Sequence, residues 1–391
     1  MIDLPSILLI VSILAGQIIK IPVGTHGGAT LLDVTVIFLT FVGLAKLKFK
    51  LKKPPLFITA SLFFILIAVL SLILTPLNLV ITQYITSFSY IIRFSSFILL
   101  SWIIYSEAFP DLKKNILRIL TWSGIGLAIL GFLQFIFLPD LRFLESFGWD
   151  PHFFRTVSTF LDPNFTGAFF VLTLILFMSS PRRRGSNSER DSLNWIPVFA
   201  GMTLTYLALL TTFSRSSYLM FLVSGLTFAI LRKSRKIFIS TIILFIILLV
   251  GFQIYSQAVA QPRGIDREQS AHYRVDSWQR GWQIFTQSPV LGVGYNTYRY
   301  ALKEYNLAPE SYLATHGASG NDSSLLHVMA TTGVVGLTGY LFFLSSFKPL
   351  GVIIWSALLG LIAHSFFANS LFYPFLLIWL ILMATKKDLK S

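Results

Sequence analysis

The chain has 391 residues, of which 54% are hydrophobic and only 12% are charged. A soluble globular chain has about a quarter charged residues, so this composition indicates an integral membrane protein. The sequence contains no cysteine, which excludes a disulfide framework, a thiolate metal site and a cysteine nucleophile.

Apolar runs of about 20 residues, the length needed to cross a bilayer, recur along the chain. They predict an all-α, polytopic membrane protein with about twelve transmembrane helices. Nine helices would lie in residues 1–254, a large and partly helical extracytoplasmic loop in 255–323, and three helices and a tail in 324–391. The predicted spans are 4–20, 29–45, 56–75, 84–104, 116–138, 165–180, 195–213, 216–231, 237–254, 324–345, 350–367 and 370–385.

Lysine and arginine residues are concentrated in loops that share one side with the N-terminus, such as 46–53, 182–190 and 232–236. The loops on this side and the C-terminal tail hold 20 of the 31 basic residues but 6 of the 17 acidic ones. Short loops rich in Lys and Arg remain in the cytoplasm, so both termini are predicted to be cytoplasmic. The net charge of +14 is therefore a topology signal and does not indicate nucleic-acid binding.

The largest loop contains the stretch YRVDSWQRGWQIFTQ, residues 273–287. Val275, Trp278, Trp282 and Phe285 recur at helical spacing and predict one apolar face of an amphipathic helix. Such a helix either lies at the membrane interface or covers a membrane cavity. The following SPVLGVG supplies the proline and glycines that end the helix and begin a turn.

Arg215 lies between two apolar runs in the stretch TTFSRSSYLMF, residues 211–221. The topology predicts that it occupies the outer end of a tight helical hairpin. An arginine within a membrane is costly, so it faces protein, water or an anion. Alternatively, its side chain extends from the helix end to the lipid headgroups. The residues alone leave both interpretations open.

Four segments resemble, in the same order, segments of the O-antigen ligase and Wzy-type polymerase family. They are RTVSTFLDPNFTGAFF (155–170), the Arg215 stretch, YRVDSWQRGWQIFTQSPVLGVGYNTY (273–298) and NDSSLLHVMATTGVVGLTGYL (321–341). The resemblance covers about half of the chain, and the remainder agrees only in being multi-spanning.

The resemblance implies a GT-C-like membrane glycosyltransferase in the bacterial cytoplasmic membrane, with its active site on the outer face. Such an enzyme moves a saccharide from a polyprenyl (undecaprenyl) diphosphate to a hydroxyl of a glycan, lipid or protein acceptor. It acts as a ligase or polymerase in the synthesis of cell-envelope polysaccharide. The donor, the acceptor and membrane lipids would be its partners, and no cofactor is implied. The sequence shows no metal-ligand spacing, P-loop or dinucleotide motif, so transfer is predicted to be metal-independent.

Arg215 and Arg274 match the family's arginines, and the resemblance implies that they bind the donor diphosphate. A guanidinium suits this role because its donors match phosphate oxygens. Arg155 is a third candidate for substrate binding, although it could instead contact headgroups. Arg93 lies in the middle of a span and is a fourth candidate; it either pairs with Asp33 in a structural ion pair or lines the donor cavity.

The general base is predicted at Asp322, with His316 as the second choice. Many family ligases carry a His-Asn pair eleven residues before the TG glycine, and counting back from Gly333 gives Asp322, so this sequence departs from the ligase pattern. A carboxylate can accept the proton of an acceptor hydroxyl. The alternatives are that Asp322 caps a helix that starts near Ser324 and that His316 is an exposed loop residue.

Two other classes of protein fit the hydropathy pattern. A twelve-span transporter or a flippase of lipid-linked oligosaccharides would have similar spans, but the sequence lacks the matching broken helices of inverted repeats. A non-enzymatic partner in cell-envelope assembly would tolerate lysine or glutamine at Arg215 and Arg274, whereas an enzyme that holds phosphate with two donors of each guanidinium would not.

Overall fold

The computed structural model describes residues 3–23, 27–179, 195–263, 269–347 and 350–386. The predicted cytoplasmic loop 182–190, Lys348 and the end of the tail therefore lie outside the described residues. Within the described ranges the helices are α1 (Leu4–Ala15), α2 (Leu31–Lys46), α3 (Leu56–Ile73), α4 (Ile81–Tyr105), α5 (Pro110–Phe137), α6 (Pro163–Ser179), α7 (Trp195–Thr211), α8 (Arg215–Leu231), α9 (Arg235–Tyr255), α10 (Gln269–Gln287), α11 (Tyr298–Glu304), α12 (Glu310–Leu313), α13 (Ser324–Ser345), α14 (Val352–His364) and α15 (Pro374–Ala384).

Each of the twelve predicted spans overlaps one of these helices, and apart from one short β-hairpin the all-α prediction is confirmed for the described residues. Five helical segments in this part of the chain are long and apolar enough to cross a membrane, judged by length and composition alone. The number of twelve spans stays a prediction, because the remaining helices are shorter. The five segments are Leu56–Ile73, Ile81–Tyr105, Pro110–Phe137, Arg235–Arg263 and His316–Ser345.

The first span is shorter than the sequence predicts. α1 ends at Ala15 because Gly16 turns the chain with a φ of 56°. The strands β1 (Lys20–Val23) and β2 (Gly27–Thr30) then form an antiparallel hairpin. The prediction of a span over 4–20 is therefore wrong for its last five residues.

The end of α9 also differs from the predicted boundary at residue 254. A π-helical turn (Ser256–Ala260) and a 3-10 turn (Gln261–Arg263) extend the helix to Arg263. The loop that follows is correspondingly shorter at its start. Its end agrees with the prediction, because α13 begins at Ser324.

Two pairs of loops that the charge pattern assigns to the same side are in contact. At one end of the helix bundle, Lys52 and Lys113 both contact Glu107, at 3.0 and 3.7 Å. At the opposite end, the loops 139–164 and 255–323 meet, and we call this the outer end. Which end faces the cytoplasm stays a prediction.

The helix α15 forms the centre of the bundle. All of its residues are buried, and it contacts α2, α4, α5, α6 and α14. A helix that is apolar on all sides is expected in the interior of a protein or in a membrane. The helix α9, which is also largely apolar, faces outward, since only Thr241, Leu248 and Tyr255 of its residues are buried.

The helix α13 is broken at Gly333, where φ is 66° and ψ is −168°. The segment 289–294, which follows α10, fits its backbone into this break. The SPVLGVG stretch after α10 and the stretch around Gly333 in α13 are therefore in direct backbone contact. Four hydrogen bonds join them: Val334 N to Pro289 O (2.9 Å), Val335 N to Val290 O (3.3 Å), Val293 N to Ala330 O (3.1 Å) and Gly294 N to Thr331 O (2.9 Å).

Gly333 cannot carry a side chain without a change in structure. A Cβ atom there would lie 2.1 Å from the carbonyl oxygen of Val290. In addition, its positive φ is unfavourable for any residue with a Cβ. Gly333→Ala is therefore expected to destabilise the protein by about 2 kcal/mol or more, seen as a lower midpoint of thermal unfolding in detergent.

Gly339→Ala is the matched control in the same helix. A Cβ at Gly339 would meet only the flexible end of Ile67, at 2.7 Å, and its φ is helical. Alanine also has the higher helix propensity, so the change should stay within about 1 kcal/mol. Equal stability of the two variants would contradict the assigned role of the break.

Candidate active site

The first residues of α6 and α8 meet at the outer end. Asp162 caps α6, since its Oδ1 accepts hydrogen bonds from the backbone N–H groups of Asn164 (2.6 Å) and Phe165 (3.1 Å). Ser214 caps α8 by accepting a hydrogen bond from Ser217 N, at 3.3 Å. Helix N-termini carry partial positive charge, so two adjacent ones favour the binding of an anion.

The serines around Arg215 bind the segment before α6. Ser214 and Ser216 donate through Oγ to Asn164 Oδ1, at 2.7 and 3.1 Å. Ser217 Oγ donates to the carbonyl oxygen of Asn164, at 2.9 Å. These hydrogen bonds join two of the segments that carry the family resemblance, although about fifty residues separate them.

Arg215 is the first residue of α8 and is half-buried, as the prediction of a hairpin end requires. Its guanidinium lies over the Phe252 ring, 5.6 Å from the centroid. A cation at a helix N-terminus is on the electrostatically less favourable end of the helix. Helix stability therefore does not account for this arginine, whereas an anion bound nearby would.

Arg155 is buried, and its guanidinium holds the turn that leads into α8. Its Nε donates to the carbonyl of Thr212 at 2.9 Å and its Nη2 donates to that of Phe213 at 3.3 Å. Burial lowers the pKa of Arg155, and the nearby Asp162 opposes this shift. The structure thus gives Arg155 a positioning role beside Arg215, and its contact with a substrate stays a prediction.

The amphipathic helix α10 is present, but the predicted apolar face is not the face that packs. The buried side consists of Ser277, Gly281 and Ile284, which face α13. Val275 and Trp282 remain 47% and 55% exposed. Trp278 is half-buried and donates through Nε1 to the carbonyl oxygen of Phe366 at 3.0 Å, so the predicted stripe is only partly exposed. Small residues allow two backbones to approach closely, which explains why Ser277 and Gly281 form the contact with α13.

Arg274 and Asp322 are held together through this packing of α10. Arg274 lies one turn before Ser277, whose Oγ accepts a hydrogen bond from Asp322 N at 3.1 Å. The cap of α13 is Ser323, which accepts from Leu326 N. The alternative of Asp322 as the N-cap is therefore wrong, and its carboxylate is available for other contacts.

The carboxyl group of Asp322 is strongly affected by its surroundings. Burial raises the pKa of Asp322 to about 6, Arg274 opposes the shift, and Asp150 adds to it. Burial likewise lowers the pKa of Arg274, and Asp322 opposes that shift most strongly among the acidic groups. Each of the two charges thus opposes the pKa shift that burial imposes on the other, because opposite charges favour each other's ionised forms.

Asp150 and Asp162 also belong to this charged cluster, although the sequence did not single them out. Burial raises the pKa of both carboxyl groups, while Arg155 lowers it. Asp150 is exposed to solvent, whereas Asp162 is half-buried. The sequence held one usable signal: Asp162 precedes a proline, the arrangement typical of an N-cap followed by the first helical residue.

His316 connects the two outer loops. Its Nδ1 lies 2.8 Å from the carbonyl oxygen of Gly148, and its ring stacks on Trp149 with a centroid distance of 4.5 Å. Burial lowers the pKa of His316, so the ring is neutral at pH 7. His316 is therefore not the exposed loop histidine of the alternative interpretation. The role of His316 as a general base stays a prediction.

Arg93 forms the ion pair with Asp33 that the sequence left as one of two alternatives. Arg93 Nε lies 2.8 Å from Asp33 Oδ1, and Nη2 donates to Asp33 Oδ2 at 2.8 Å and to the carbonyl of Gly28 at 2.5 Å. Its guanidinium also lies over the Tyr90 ring, at 4.8 Å. Contact of Arg93 with a donor stays a prediction.

Removing one member of this pair should be more harmful than removing both charges. Arg93→Gln would leave a carboxylate that is only 5% exposed without its cation, at a cost of about 3 kcal/mol. The double variant with Asp33→Asn should recover most of the lost thermal stability in detergent. A double variant no more stable than Arg93→Gln would show that the charge pairing is not the cause.

The chain matches the family described as O-antigen ligase over residues 199–341. No curated protein matches the chain. The matched part carries Arg215, Arg274, His316 and Asp322, whereas Arg93, Arg155 and the two acids of the preceding segment lie outside it. The charged cluster is thus built from the matched part together with the segment before α6. The resemblance seen in the sequence is thus confirmed for residues 199–341, which we call the O-antigen ligase domain after this match.

Proposed function

We propose that the protein transfers a saccharide from a polyprenyl diphosphate to an acceptor hydroxyl at the outer face of the bacterial cytoplasmic membrane. The O-antigen ligase domain and the apolar helices make it a membrane protein of glycan assembly, of the ligase or polymerase type. The finer proposal is supported by one arrangement: Arg215 begins α8, Asp322 is bonded to α10 one turn from Arg274, and the charges of Arg215 and Asp322 both act on Arg274.

Arg215 and Arg274 would bind the donor diphosphate. The two guanidinium groups are close enough for Arg215 to lower the pKa of Arg274. Like charges at short distance are unfavourable unless an anion lies between them. A diphosphate supplies this anion, and the N-termini of α6 and α8 add further positive potential. Binding of this kind also stabilises the charge that develops on a departing diphosphate.

Asp322 would act as the general base. The acceptor oxygen forms a bond to the anomeric carbon while the bond from that carbon to the diphosphate oxygen breaks. The hydroxyl proton passes to the Asp322 carboxylate, and the lipid diphosphate leaves with its charge held by the arginines. A pKa of about 6 makes Asp322 a stronger base than an ordinary aspartate yet leaves it ionised at neutral pH.

A deletion strain tests the proposed function directly. Loss of long glycan chains with accumulation of single lipid-linked repeat units is expected for a polymerase. Accumulation of finished lipid-linked polymer is expected for a ligase. Unchanged envelope glycans together with unchanged lipid-linked intermediates would refute the proposal.

Replacement of the diphosphate-binding arginines by lysine should abolish most of the transfer. Arg215→Lys and Arg274→Lys keep the charge but lose the two-donor geometry, and we expect transfer of a lipid-linked saccharide to fall at least about tenfold. Arg280→Lys is the control on the same helix, since Arg280 lies over the Tyr312 ring at 4.5 Å and outside the cluster. Full transfer by both lysine variants would favour a non-enzymatic role.

The transfer rate should depend on pH through Asp322. Protonated Asp322 cannot accept the hydroxyl proton, so the rate should fall as the pH drops through about 6, well above the range of an ordinary aspartate. Asp322→Asn should lower the rate at least about 100-fold and remove this pH dependence. Asp276→Asn, on the exposed side of α10, should leave the transfer rate and its pH dependence unchanged. A flippase would keep its activity in the Asp322→Asn variant.

A further inference from the structure

The carboxamide of Asn164 has one defined orientation. Ser214 Oγ accepts the capping hydrogen bond from Ser217 N, so its own proton is directed to Asn164 Oδ1, 2.7 Å away. Ser216 Oγ donates to the same oxygen. Because Oδ1 accepts hydrogen bonds from both serine hydroxyls, the NH2 group lies on the other side of the carboxamide.

The NH2 group of Asn164 has no acceptor within the described part of the chain. Its other polar atoms are all used: the backbone N–H binds Asp162, the carbonyl binds Ser217 and Oδ1 binds two serines. Asn164 Nδ2 is not among the buried atoms without a partner, so it is open to solvent. The two N–H groups of Nδ2 are therefore accessible and not used by an acceptor among the described residues.

Asn164 is bonded to neighbours of both arginines assigned to the diphosphate. Ser214 and Ser216, which bind its carboxamide, flank Arg215 on both sides. On the other side, Asp162, which binds its backbone N–H, is one of the groups whose charge acts on Arg274.

We propose that Asn164 Nδ2 donates hydrogen bonds to the diphosphate of the lipid-linked donor. This assignment rests on the proposed function and adds a neutral donor to the two charged ones. Phosphate oxygens are strong acceptors, and bonds to a charged acceptor are stronger than neutral ones.

The close packing of α6 and α8 keeps this donor in place. Gly167, one turn after Asn164, lies so near Ser217 that a Cβ atom would be 2.4 Å from Ser217 Oγ. The serine hydroxyls can therefore reach Asn164 directly. A donor group fixed in this way loses little conformational freedom when a ligand binds, which favours affinity.

Binding of a polyprenyl diphosphate that carries no sugar, measured on the purified full-length protein in lipid nanodiscs, tests the assignment. Asn164→Asp keeps an oxygen for both serines and replaces the NH2 group by a negatively charged oxygen. We expect its thermal stability to be retained and its affinity for the probe to fall at least about tenfold.

A matched pair of variants separates binding from packing. Asn164→Ala and Ser214→Ala both remove the hydrogen bond between the two residues and should lower the unfolding temperature similarly. Only Asn164→Ala loses the NH2 group, so this variant should bind the probe at least about tenfold more weakly than Ser214→Ala does. This comparison also decides the case if Asn164→Asp does not fold.

Two results would overturn the assignment. If the wild-type protein binds the probe and both Asn164 variants bind it equally well, Asn164 does not contact the diphosphate. If these variants bind the bare probe normally but a sugar-bearing donor weakly, Asn164 contacts the saccharide instead.

If the wild-type protein itself binds no polyprenyl diphosphate, the proposed function fails together with this assignment.

Discussion

At the outer end of this protein, buried charged side chains need an opposite charge or hydrogen bonds, and this need determines which segments lie together. A guanidinium or carboxylate that protein surrounds costs several kcal/mol unless an opposite charge or hydrogen bonds compensate it. Arg155 meets this demand with carbonyl oxygens before α8 and with Asp162, while Arg274 meets it with Asp322. Segments that are far apart in the chain are thus held together by charged groups of both signs at the outer end.

The positions of the candidate base and one candidate phosphate ligand depend on a single helix. Ser277 of α10 binds the backbone of Asp322, and Arg274 lies one turn away on the same helix. The segment that follows α10 is fixed in turn by its backbone contacts in the break of α13 at Gly333. A glycine in the bundle therefore controls the geometry of a site at its end, because it sets where α10 can lie.

The cluster draws on more of the chain than the O-antigen ligase domain. Residues 199–341 supply Arg215, Arg274 and Asp322, but the groups that orient and balance them come from the segment before α6. The serines around Arg215 illustrate this dependence: one caps α8, and two of them hold the carboxamide of Asn164. The spacing of these serines is explained only when the start of α8 and the Asn164 segment at the start of α6 are considered together.

The sequence by itself determined where the helices lie, because apolar runs of membrane length have few other structures available. It also placed Arg215 at a helix end and predicted the helix α10. Only the tertiary structure decided which apolar helix is central: α15 is buried on all sides and α9 faces outward, yet lipid and protein interior are equally apolar, so hydropathy cannot separate them. The structure likewise decided that Ser277 and Gly281 form the packed side of α10 and that Asn164 and Asp162 join the site. Such contacts depend on close packing and on hydrogen-bond partners distant in the chain, and neither leaves a periodic signal in the sequence.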